Sequence, residues 1–253
     1  MNVPFFSLVI LGRGPLHLLS HTIESIKSQK EKDFEVIFIS PSKTSLRLDP
    51  DVPVEWFFTK EKELAGMMNE GLSLTRGKYV QFLQPGDHFL SHEGLSHLHE
   101  LIEKNHEPHL AYSGCLMKAP DEPPRALFTP LNRKTLQCGI FSSMVRSSWF
   151  QKEALVNLGG FDPTFQVRTA FDLFCRIYHK QKNLRIVYSP RILIDADPFK
   201  ISASDRVRSF QETCQILYRY FGLKEMLRWV FIQDDWKLIK HGFRSLREVF
   251  RKS

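Results

Sequence analysis

The chain has 253 residues, of which 42% are hydrophobic and 25% charged, an ordinary globular balance with enough apolar material for a full core. This excludes a disordered chain, and no run of about 18 uncharged apolar residues is present to suggest a membrane-spanning helix. The net charge is +7, and between Gly222 and Ser253 eight Lys/Arg oppose four acids while the body is nearly balanced, so the basic, aromatic-rich face of a nucleic-acid binder is not expected.

The segment Met1 to Leu11 is apolar without a basic leader or a small-residue cleavage site, and it reads as a buried strand over Phe5 to Leu11 rather than a signal peptide. Leu19, Ile23 and Ile26 form a helical stripe within Leu16 to Ser28. Phe34 to Ile39 and Val54 to Phe58 read as further strands, Glu61 to Leu74 as a helix ending near Gly77, and Lys78 to Leu83 as a fourth strand stopped by Pro85-Gly86. Strands alternating with crossover helices predict an α/β fold with a doubly wound, mostly parallel sheet flanked by helices. A ligand of such a sheet lies beyond the carboxyl ends of its strands, which here carry Gly12 to Gly14, Ser40 to Thr44 and Gln84 to His88.

A helix over Ser91 to Lys104, with Ser91 as N-cap, and a strand over His109 to Leu116 follow. Lys118 to Arg133 is rich in Pro and charge and reads as a long loop of the lid or acceptor-binding kind. After Gly159-Gly160 come a helix over Phe171 to Lys180, a last strand over Leu184 to Tyr188, and a helix capped by Ser202 or Ser204 that runs to Phe221. Trp236, Ile239, Phe243, Leu246 and Phe250 then recur at helical spacing opposite a basic face. That helix packs on its own domain or makes a peripheral membrane contact with anionic lipid. Cys115, Cys138, Cys175 and Cys214 are widely and irregularly spaced, so neither a zinc site nor a disulfide framework is indicated, and a reducing cytoplasm is the expected location.

Met68-Asn69-Glu70-Gly71, Thr75-Arg76-Gly77-Lys78-Tyr79 and Phe82-Leu83-Gln84-Pro85-Gly86-Asp87 form an ordered series, followed by Leu158-Gly159-Gly160-Phe161-Asp162 and Phe171-Asp172-Leu173 with Arg176. This series resembles the family 2 glycosyltransferases of GT-A fold, in a divergent form, over roughly residues 5 to 200. The resemblance implies a GT-A domain over 1–200, a helical basic extension over 201–253, and inverting transfer of a sugar from a nucleotide-sugar donor to a glycan or lipid-linked acceptor such as a cell-envelope polysaccharide. It implies an enzyme in the cytoplasm or at the inner face of the membrane, assisted by Mg²⁺ or Mn²⁺ acting on the departing diphosphate.

By the same resemblance Asp87 would be the metal ligand and Asp172 the catalytic base, with Gly12, Arg13, Ser40, Lys43, Asn69 and Gln84 around the donor. The alternatives stay open: Asn69 and Gly71 serve helix packing or substrate, Asp87 is a ligand or a turn acid, and Asp172 is a base or the partner of Arg176. The chain departs from the family at the first strand end (Leu11 to Gly14), the second (Ser40 to Lys43), the metal motif (Gln84 and Gly86) and the base position, where Ala170 aligns. Arg13 and Lys43 are expected to supply charge compensation in the same cleft. A catalytically inactive GT-A-like binding or scaffold protein is the second reading.

Overall fold

The computed structural model describes residues 3–42, 53–117, 123–139, 141–180, 184–196 and 203–232. The first apolar run forms β1 (Phe6–Leu11), buried throughout, as a central strand covered on both faces must be. β2 (Phe34–Ser40) and β4 (Tyr79–Leu83) flank it in parallel, and β3 (Val54–Phe58) extends the sheet beyond β2. The crossovers are α1 (Leu19–Lys27), whose stripe buries Leu19, Ile23 and Ile26, and α2 (Leu64–Leu74), which buries Ala65, Met67, Met68 and Leu72. Gly71 of α2 lies against β1, where an added Cβ would come within 2.7 Å of Val9 Cγ1.

The second half adds β5 (His88–Phe89), α3 (Gly94–Lys104), β6 (Leu110–Met117), β7 (Arg125–Leu127), α4 (Arg133–Gln137), a 3-10 segment (Phe141–Ser147), β8 (Ser148–Gln151), α5 (Lys152–Asn157), α6 (Thr169–Lys180), β9 (Ile186–Ala196), α7 (Ala203–Phe221) and α8 (Leu223–Ile232). The strand order is β3-β2-β1-β4-β8-β6-β9-β5, with β7 on β6. β1, β2, β3, β4, β6 and β9 run one way, and the short β5, β7 and β8 run against them. The α/β class and the mostly parallel sheet flanked by helices are as expected. The short strands, α4 and α5 went unpredicted, because two to six residues carry too little periodicity to read. β7 lies inside the segment expected to be loop, and β9 runs well past Tyr188.

Two local expectations are corrected. Gly77 does not cap α2, whose C-cap is Thr75; a Cβ on Gly77 would come within 2.5 Å of Ser7 Oγ and 2.7 Å of the Phe6 carbonyl carbon, so glycine is needed for close approach to β1. Ser91 does not cap α3, whose N-cap is Glu93 with no side-chain cap bond.

Beside Gly77 the buried Glu35 of β2 accepts from Ser7 Oγ at 2.6 Å, Arg76 Nε at 2.7 Å and the Gly77 N–H at 3.1 Å. Burial works against the charge of Glu35, but these donors outweigh it and hold the carboxyl below its ordinary 4.5.

The extension expected from residue 201 begins with α7, which packs on α6. Glu212 of α7 accepts from the N–H groups of Gln166 (2.9 Å), Val167 (3.0 Å) and Arg168 (2.7 Å), satisfying donors at the entry to α6. Among the described residues no helix is long and apolar enough to cross a membrane. The stripe from Trp236 to Phe250 lies outside the described residues.

Candidate functional site

The strand order reverses between β1 and β4: from β1 the chain winds outward to β2 and β3, then returns to pair β4 on the other side. The carboxyl ends of these two strands flank the switch point, where α/β sheets open a crevice. Arg13 follows β1 and Gln84 follows β4, and both line a cavity of about 300 Å³. Gly12 makes the turn out of β1 possible: a Cβ there would meet Ser40 Cβ at 2.6 Å and the Phe38 ring at 2.9 Å. On the β4 side Pro85-Gly86 turns the chain with Gly86 at φ 103°, and Thr22 of α1 supports the turn by accepting from the Gly86 N–H at 2.9 Å.

The cavity is cationic. Arg13, Arg146, Arg168 and Arg208 line it, opposed by Glu63 and Asp205. Arg168 is aimed by Ser209 Oγ, to which its Nε donates at 2.8 Å, and by the Gly139 carbonyl at 3.3 Å from Nη1. Burial lowers the pKa of that guanidinium and Glu212 acts against the shift, but an arginine stays charged at neutral pH. Gln166 also lines the cavity, and its carbonyl Oε1 is buried with no hydrogen-bond partner among the described residues. Guanidinium forks suit the paired oxygens of phosphate, so the arrangement favours a polyanionic ligand.

Asp87 lies beneath this wall with its side chain 0% exposed. Its Oδ1 accepts from Arg146 Nη1 at 2.9 Å and its Oδ2 from the Gln84 N–H at 2.8 Å. Mg²⁺ or Mn²⁺ needs several hard oxygen ligands around one point. Among the described residues no group of three His, Cys, Asp or Glu is arranged to hold a metal. Asp87, which the resemblance makes the metal ligand, is here ion-paired with Arg146 and accepts a main-chain hydrogen bond on its other oxygen.

Arg13 and Gln84 are thus brought together at the cavity, with Gly12 and Ser40 packed against each other beside Arg13, whereas Asn69 and Asp172 do not line it. Ser40 is 2% exposed, and its Oγ accepts from the Ser42 N–H at 3.2 Å. Lys43 lies outside the described residues. Asn69 turns its amide to the main chain of Phe161, donating to the carbonyl at 2.7 Å and accepting from the N–H at 2.8 Å. Asp172 is buried on α6 and accepts from Arg176 Nε at 2.8 Å, Tyr220 Oη at 2.9 Å and Arg219 Nη1 at 3.4 Å. Ala170, two residues earlier on the helix, faces the cavity; Asp172 does not line it.

These contacts give the glycine-rich block a structural account. Gly159 and Gly160 sit at φ 87° and 63°, in the left-handed region. Arg176 donates to the carbonyls of Leu158 and Gly160, each at 2.7 Å. Asp162 shapes the following turn through the Thr164 N–H at 2.9 Å and meets Arg219 at 3.1 Å. Asn69, the glycines, Asp172 and Arg176 form one knot joining α2, α6 and α7. Sequence reasoning missed Arg146, Gln166, Arg168, Asp205 and Arg208. The only signal was the nearness of Arg168 to Ala170, since the others come together through the fold.

No family model matches the chain, and no curated protein matches it. Solved structures do. The fold is similar to that of S. aureus TarS 1-349, with a TM-score of 0.67 and 15% identity over 91% of this chain and 72% of that one. The same fragment in complex with UDP-GlcNAc gives 0.65 and 14% identity over 86% and 67%. The mannosyltransferase PcManGT from Pyrobaculum calidifontis, in complex with GDP-Man and Mn²⁺, gives 0.60 and 16% identity over 86% and 64%. The chain spans 64–72% of these structures and 42% of a longer TarS structure. The fold is therefore that of GT-A-like glycosyltransferases.

Proposed function

We propose that the chain is a glycosyltransferase of the family 2 kind that takes a nucleotide-sugar donor in the cavity at the β1/β4 switch point. The observation that carries this reading is the arginine-lined cavity, with Arg13 and Gln84 at its strand ends, in the crevice where such sheets bind ligands. Its support from relatives is that TarS and PcManGT have been solved with UDP-GlcNAc and GDP-Man.

In the reaction an acceptor hydroxyl oxygen attacks the anomeric carbon of the donor sugar. The bond from that carbon to the diphosphate oxygen breaks, and its electron pair leaves with the nucleoside diphosphate. In-line attack inverts the anomeric carbon. Arg13, Arg146, Arg168 and Arg208 compensate the growing negative charge of the leaving group, an electrostatic contribution that is strongest in a water-excluded site. The acceptor proton passes to a carboxylate. Asp205 serves best, because it lines the cavity with Ala170, where the resemblance puts the base. Asp172 holds α6 and α7 together instead.

The acceptor is a glycan or a lipid-linked sugar. The basic segment after α8 would bring the enzyme to an anionic membrane surface bearing such an acceptor, on the cytoplasmic side.

One observation favours a second reading, a GT-A-like domain that binds sugar nucleotides without turning them over: Ala170 cannot accept a proton. The test is a panel of UDP- and GDP-sugars, reading binding by calorimetry and nucleoside diphosphate release by a coupled assay. Binding with release supports the enzyme, and binding without release in the presence of varied acceptors supports the second reading. If no donor binds, both are wrong.

A further inference from the structure

We infer that the donor diphosphate is held without a divalent cation, by Arg146 occupying the layer between Asp87 and the cavity; the inference rests on reading the cavity as a nucleotide-sugar site. The side chain of Asp87 is 0% exposed and that of Arg146 15%, with Nη1 to Oδ1 at 2.9 Å. Only the arginine lines the cavity. A metal ion joining a strand-end carboxylate to a diphosphate would stand in that layer, touching the acid on one side and the phosphate oxygens on the other. The guanidinium touches the acid through Nη1, and the residue lines the cavity on the other side, where a cationic N–H donor suits a phosphate oxygen.

Two further features support the substitution. Asp87 Oδ2 is engaged by the Gln84 N–H at 2.8 Å, so the main chain and Arg146 already hold the carboxylate in one orientation. A metal would also sit against the charge of Arg146, a like-charge contact that weakens cation binding in a poorly solvated site. The rest of the lining is also net cationic, with Arg13, Arg168 and Arg208 against Glu63 and Asp205. Asp87 thereby becomes a positioning residue: it fixes the orientation of Arg146 and does not touch the donor.

The test is titration calorimetry of UDP and GDP into the full chain, first in EDTA and then with excess Mn²⁺ or Mg²⁺. The expected result is that one nucleotide binds with affinities within about twofold of each other in the two buffers. Arg146→Ala, checked for folding by circular dichroism, should weaken binding in EDTA by about tenfold or more. If that variant unfolds with Asp87 left unpaired, Arg146→Lys retains the charge but loses the fork, and weaker binding in EDTA is again expected. Wild-type binding weaker by more than about tenfold in EDTA would overturn the inference and leave the nucleotide-sugar reading standing. Unchanged affinity in a folded Arg146→Ala would overturn it too. Failure of either nucleotide to bind in either buffer would bring down the nucleotide-sugar reading itself.

Discussion

The Tyr220 hydroxyl donates to Asp172 Oδ1 at 2.9 Å, joining the last turn of α7 to the first turn of α6. Arg176 engages the other carboxylate oxygen, so the pairing that the sequence offered as the alternative to catalysis is present. Burial and the Asp172 charge push the Tyr220 phenol up to about 12, so it remains a donor at neutral pH. Asp172→Ala leaves Arg176 and Arg219 without this partner and should cost about 3–5 kcal/mol of stability. Tyr220→Phe should cost about 1 kcal/mol. Urea unfolding measures both, and a stable Asp172→Ala protein lacking only turnover would restore the catalytic assignment.

The clamp from Asn69 to Phe161 makes a coupled prediction. A Cβ on Gly160 would fall 2.5 Å from Asn69 Oδ1, and its φ of 63° is unfavourable for alanine. Gly160→Ala should therefore destabilise by about 2–3 kcal/mol, from the conformational cost together with displacement of the amide. Asn69→Ala loses the two main-chain bonds but also clears the space. The double variant should be less unstable than the sum of the singles by about 1 kcal/mol, measurable in a double-mutant cycle. Strict additivity would mean that the two residues do not meet.

The sequence was legible where one physical signal was local. β1, β2 and β4 are apolar runs, and α1 has a clean stripe, so both the class of fold and the strand ends beyond which a ligand would lie could be read. The motif from Asn69 to Asp87 was recognisable in order and spacing, yet its residues divide between tasks. Gln84 reaches the cavity, whereas Asn69 and Gly77 serve close packing. Asp87 supports Arg146, a residue 59 positions away. No local pattern could show that pairing, because the carboxylate and the guanidinium meet only when the 3-10 segment Phe141–Ser147 crosses the end of β4. Arg168 and Arg208 join the cavity in the same non-local way.

Glu35 sets an acid limit on stability. Its folded-state pKa is depressed, so its contribution is present above the ordinary 4.5 and is lost as pH falls through the lower folded value. Glu35→Gln should lower stability at neutral pH by about 1–3 kcal/mol and flatten the dependence on pH below about 4.5. Chemical unfolding at a series of pH values distinguishes this from a general acid effect. An unchanged acid limb in the variant would remove Glu35 from the account.

Arg13 and Arg208 approach the cavity from opposite elements, the end of β1 and the second turn of α7. Neither supports the core, so alanine at either position should leave the melting temperature near that of the wild type. Each should weaken nucleoside diphosphate binding by about 10–100-fold, the worth of a charge-assisted hydrogen bond. Wild-type affinity should also decline with added salt more steeply than that of the variants. Equal salt dependence in all three proteins would place the diphosphate elsewhere.

Asp205 carries the sharpest expectation about turnover. It lines the cavity together with Ala170, Arg168 and Ser209. Asparagine preserves its size and much of its hydrogen bonding but cannot take a proton. Asp205→Asn should lower kcat by about 10²–10⁴-fold, the range for removing a general base, while donor affinity stays near wild type. A variant with full kcat would pass the role to Glu63, the other carboxylate of the cavity, and Glu63→Gln would then be the decisive comparison.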